Sequence, residues 1–124
     1  RIMLDNILFS HTMYKDKKAC DLLESILLKF RDLAYERGHK PLLLVMPQLI
    51  DIKIMNSKKE DIHYGSFFSK MSHEMPVLDL TSDINNANTE SLYTEDLYGG
   101  HFSELGNKLV AEKVSEYLNK TSIS

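Results

Sequence analysis

The chain has 124 residues, 43% of them hydrophobic and 27% charged, with a formal net charge of −3 at pH 7. That length allows one hydrophobic core and at most one domain, and the composition is that of an ordinary globular chain. The mild negative balance gives no reason to expect nucleic acid or an acidic membrane surface as a partner.

The first fifteen residues are the least patterned. Ile7-Leu8-Phe9 reads as a short strand or as the tail of an incoming segment, with Ser10 after it. The chain opens on Arg1 rather than methionine, which suggests a piece of a longer polypeptide or a processed or cloned start. It shows no basic region followed by a signal-peptide core. From about Asp16 to Arg37 the apolar positions Cys20, Leu23, Leu27, Phe30 and Ala34, flanked by Leu22, Ile26 and Leu33, recur at helical spacing. Asp16 is the expected N-cap and Gly38 the expected C′ residue. Cys20 is the single cysteine, so no internal disulfide can form; within this pattern it reads as a small core residue.

Pro41 opens the run Leu42-Leu-Leu-Val-Met46, and Pro47 closes it. A short continuous apolar run bounded by prolines suits a strand buried on both faces of a parallel sheet. It is also the longest apolar run, far too short to span a membrane. Pro47 and Gln48 begin a loop, and ligands in open α/β sheets bind outside the carboxyl ends of strands, so these two residues are candidate walls of a substrate site. Ser57-Lys-Lys-Glu60 has the capping-box pattern and predicts a helix carrying Ile62, Tyr64, Phe67, Phe68 and Met71. Its aromatic residues read as packing, and His63 and His73 as exposed helix positions. No His-Glu-x-x-His or paired-cysteine spacing appears, so neither a metal nor another cofactor is expected.

Val77-Leu78-Asp79-Leu80 reads as a second buried strand. Residues 81–88 read as a polar loop with one helical turn around Ile84. Beyond Ser103 the residues Leu105, Leu109, Val110, Val114, Tyr117 and Leu118 trace one apolar stripe of a final helix. The order helix, strand, helix, strand, loop, helix implies an α/β fold, with a parallel sheet and helices on both faces.

Chemistry is concentrated in Asp96-Leu-Tyr-Gly-Gly-His-Phe-Ser-Glu-Leu-Gly-Asn107. Ser103 is the expected N-cap of the last helix, and Glu104 suits the positive end of its dipole. His101 stands two residues ahead, where that field favours the neutral ring able to act as a base. Gly99 and Gly100 allow a sharp turn that aims the ring. Asp96 is the nearest carboxylate able to orient it, with Glu95 next. On residue chemistry alone, a catalytic His101 and a plain surface-loop histidine are equally well supported.

This block, continuing Lys-Leu-Val-Ala-Glu, resembles the last conserved block of the SGNH (GDSL-type) hydrolases. The resemblance implies a flavodoxin-like three-layer α/β/α parallel sheet, of which residues 1–124 would be the C-terminal part. It implies His101 as the general base of a Ser-His-Asp triad in an esterase or O-acyl hydrolase. The substrate would be a small-molecule or carbohydrate ester. Asp96 stands five residues before His101, where the family places its acid three before. Either the glycine pair brings Asp96 back to the ring, or the chain uses a histidine without that acid. The family's Gly-Asp-Ser nucleophile block and Gly-x-Asn oxyanion block do not occur, and Ser10 lacks the nucleophile context.

Three readings follow: the His-bearing part of such an esterase or of an O-acyltransferase of the same fold; a non-catalytic α/β binding or assembly module; or another doubly wound domain. A receiver-like module would need an acidic cluster after its first strand, and a flavodoxin-like one a phosphate loop. Neither can be placed. Missing strands would leave sheet edge and apolar helix faces exposed, so self-association or a companion segment is expected.

Overall fold

The computed structural model describes residues 9–94 and 100–122. The chain divides into two compact units, Arg1–Leu43 with Asp61–Val77, and Leu44–Glu60 with Leu78–Ser124.

In the first unit, residues 9–13 are helical (α1). Phe9, expected in a strand or an incoming tail, is therefore helical; Ile7 and Leu8 lie outside the described residues. A 20-residue helix, α2 (Lys17–Glu36), follows. Its start is capped as expected: the Asp16 carboxylate accepts from the backbone N–H of Lys18 at 2.9 Å and of Ala19 at 3.4 Å. Its end is a Schellman turn. Gly38 sits at φ +74°, its N–H donates to Tyr35 O, and the His39 N–H reaches back to Ala34 O at 2.8 Å. The core-facing side of α2 packs Cys20, Leu23, Leu27 and Leu28 onto Phe67, Met71 and Met75. Phe67 and Met71 belong to a further helix of this unit, α4 (Gly65–Met71). Arg31 closes the unit from outside, donating to the Glu74 carbonyl at 3.2 Å and to its carboxylate at 3.0 Å. The aromatic residues expected to be packing, Tyr64, Phe67 and Phe68, are packing: with Tyr14, which was not among them, they form tilted and edge-on pairs 5.0–6.2 Å apart. His63 departs from expectation. It precedes α4 rather than lying in a helix, is half-buried, and stacks on His11 at 3.9 Å.

Among its described residues the second unit holds three α-helices, α3 (Leu49–Lys58), α5 (Thr81–Asn86) and α6 (Glu104–Ser122), and a 3-10 turn, Thr89–Leu92. Its core is Ile52, Leu80, Ile84, Leu92 and Tyr93, with Leu44, Leu49, Met55, Leu78, Phe102, Leu109 and Val110 packed around it. Helix α3 replaces the loop expected after Pro47. Ser57 stands inside its last turn instead of capping a new helix, and Lys59 at φ 53° terminates it. The helical turn expected around Ile84 is α5, whose start is held by Asp79. That carboxylate accepts from the Thr81 N–H at 2.9 Å and from the Thr81 hydroxyl at 2.6 Å. Lys113 of α6 pairs with Asp83 of α5 at 3.4 Å.

The strands β1 (Leu43–Val45) and β2 (Val77–Asp79) form a two-stranded parallel sheet, so the chain is α/β. Both run within the predicted segments but are three residues long. They are half-buried for most of their length rather than covered on both faces, Val45 alone being buried. The physical reason is strand number: among the described residues no third strand pairs with either edge. No helix among the described residues is long and apolar enough to cross a membrane.

Candidate functional site around His101

The site lies wholly in the second unit and is built from its backbone upward. After β1, Pro47 is buried, and Gln48 is exposed at the N-cap of α3. Asp51, in the first turn of α3, is buried and accepts the Gln48 N–H at 3.0 Å. A carboxylate there satisfies a backbone donor that the helix start would otherwise leave open, and it meets the positive end of the dipole.

The 3-10 turn delivers Leu92 and Tyr93, both buried, into an antiparallel bridge between Tyr93 and Phe102. The two rings stack with centroids 4.9 Å apart at 25°. On one side of the bridge the Ser103 N–H donates to Leu92 O at 2.8 Å. On the other the Thr94 N–H donates to His101 O at 2.7 Å, and the Thr94 hydroxyl reaches the same oxygen at 3.2 Å. The backbone of His101 is thus tied to the preceding segment. Gly100, at φ +70°, makes the turn into it; a Cβ there would stand 3.2 Å from Thr94 O.

Ser103 caps α6 as expected, its hydroxyl oxygen accepting the Gly106 N–H at 3.1 Å while donating to Ser91 O at 2.7 Å. Gly106 lets the helix start approach the 3-10 turn closely. A Cβ there would fall on the Leu92 carbonyl oxygen and 2.8 Å from Phe102 Cδ1.

Tyr93 joins this loop to the sheet. Its hydroxyl donates to Pro47 O at 2.7 Å in a buried hydrogen bond. Burial, and secondarily the Asp51 carboxylate, push the phenol up to about 12, so it remains a donor across the neutral range.

Of the residues expected from sequence, His101 is exposed on this loop, immediately ahead of α6 and linked through Tyr93 to the carboxyl end of β1. Pro47 reaches the same place, but its carbonyl is occupied by Tyr93. Gln48 is exposed, but its side chain is engaged in the capping box of α3, accepting from the Asp51 N–H. Asp96 and Glu95 lie outside the described residues. Sequence reasoning missed Asp51 and Tyr93. Asp51 carried a local signal, a carboxylate three residues after a strand-ending Pro-Gln. Tyr93 carried none, because its two ties reach Phe102 and a residue 46 positions away.

Comparison with protein-family models, with curated proteins and with solved structures finds no match to this chain.

Proposed function

We propose that this chain carries the histidine-bearing part of an SGNH-type O-acyl hydrolase, with His101 as the general base. The observation that supports it is placement: an exposed imidazole ahead of α6, on a loop hydrogen-bonded through Tyr93 to the carboxyl end of β1. Crevices at that end of parallel strands are where open α/β sheets bind ligands. His101 takes the proton from a serine hydroxyl as its oxygen attacks the ester carbonyl, then returns it to the departing alkoxide; water reverses the sequence on the acyl-enzyme. Asp96 orients the ring. The serine is supplied from outside the motifs present in these 124 residues, and the substrate is a small-molecule or carbohydrate ester. If an acceptor hydroxyl replaces water, the same steps give an O-acyltransferase.

A second reading, a non-catalytic α/β binding or assembly module, draws on one fact: no Gly-Asp-Ser occurs in the chain. One experiment separates them. Aryl-acetate turnover and fluorophosphonate labelling are measured on the polypeptide in which the cell makes this sequence, with and without His101→Gln. A labelled serine and a fall in turnover of at least ~10³-fold support the hydrolase. Turnover indifferent to His101, or no labelled serine, leaves the binding module.

A further inference from the structure

We propose that Tyr93 is a positioning residue for His101, its hydroxyl on the Pro47 carbonyl setting where the imidazole stands relative to the carboxyl end of β1. The functional half of this rests on the reading of His101 as a base; the structural half does not.

Three contacts converge on the residue. Its ring stacks on Phe102, the residue after His101. Its backbone faces Phe102 across the bridge, with Thr94 and His101 closing the next hydrogen bond at 2.7 Å. Its hydroxyl, 2.7 Å from Pro47 O, is the only one of the three that reaches the strand end. The stack and the bridge fix His101 relative to the segment that follows the 3-10 turn, whereas the hydroxyl fixes that whole assembly relative to the end of β1. Tyr93 is only 6% exposed, so an unsatisfied Pro47 carbonyl would not readily recover its bond from water. A base misplaced by about 1 Å loses roughly two orders of magnitude in rate, so a remote tether of this kind matters to chemistry.

The test uses the 124-residue chain and the ring signals of its five histidines, with His101 assigned by His101→Gln. Tyr93→Phe keeps the stack and removes the hydroxyl. The expected result is a shift of the His101 ring resonances towards those of an unstructured histidine, with the other four unchanged. Incorporating 3-fluorotyrosine at position 93 strengthens the donor and leaves the fold intact, and should move the His101 signals the opposite way. It carries the test if Tyr93→Phe does not fold. Unchanged His101 signals in both variants, or equal shifts at all five histidines, overturn the proposal. On aryl acetate, in the polypeptide in which the cell makes this sequence, Tyr93→Phe should lower kcat by about tenfold or more with KM held. Loss of the His101 dependence itself would sink the general-base reading and leave the spectroscopic result standing.

Discussion

Replacing Gly106 with alanine tests the construction of the site most directly, because two well-understood effects oppose each other. Gly106 is the third residue of α6, and on helix propensity alone alanine gains up to ~1 kcal/mol. The structure predicts the opposite sign. The added Cβ would fall on the Leu92 carbonyl oxygen and 2.8 Å from Phe102 Cδ1. The first obstacle is backbone and cannot rotate away, so the helix start must lift off the 3-10 turn. That lift strains the Ser103–Leu92 hydrogen bond at 2.8 Å and the Ser103 cap at 3.1 Å. Overpacking of this kind costs about 1–3 kcal/mol, and loss of a helix cap about 1 more. After the propensity gain, a net loss of roughly 1–3 kcal/mol remains. Urea unfolding followed by circular dichroism measures it. Gly65→Ala serves as the control, since its Cβ meets only one side-chain methyl, Ile62 Cγ2 at 3.1 Å, and no backbone, so it should cost less than Gly106→Ala. A Gly106→Ala variant as stable as the parent, or more so, would refute the close approach of α6 to Leu92.

Gly38→Ala should lower stability by about 1–2 kcal/mol in the same unfolding assay, although nothing crowds the site, because alanine is strained at φ +74°. Ile84→Ala should cost ~2–5 kcal/mol by thermal or urea unfolding, since Ile84 is fully buried in the second unit's core. Stability should also fall at high pH. Tyr93 holds its proton more tightly folded than unfolded, so its contribution is complete below about pH 10 and drains away as pH rises towards 12. At ~1.4 kcal/mol per unit this loss is about 2–3 kcal/mol; the slope between pH 10 and 12 should flatten in Tyr93→Phe.

The parts legible in the sequence were those whose cause is local. Helix α2 follows from its apolar spacing, with Asp16 as its N-cap and Gly38 as the C′ residue after its C-cap. Ser103 as the cap of α6, and the strands after Pro41 and Pro76, follow the same way. Helix α3 was hidden because Ile50, Ile52 and Ile54 alternate like a strand while the Pro-Gln before them signals a loop. The capping pattern at Ser57 misled because a serine followed three residues later by glutamate also fits a helix end, here closed by a left-handed lysine. In the site, His101 was readable from its neighbours in the chain. Tyr93 was not, since hydrogen bonds across 46 residues leave no local trace.

The way the chain threads its two units limits how it can be taken apart. Three crossings join them, between residues 43 and 44, 60 and 61, and 77 and 78; the first and third fall inside β1 and β2. Neither unit is a continuous stretch, so no truncation from either terminus yields one of them whole. A protease nick at either strand would interrupt the backbone of a strand paired in the sheet. Dissection into independently expressed halves therefore requires rejoining residues 43 to 61 or 60 to 78 by new linkers, with each strand shared out between the products.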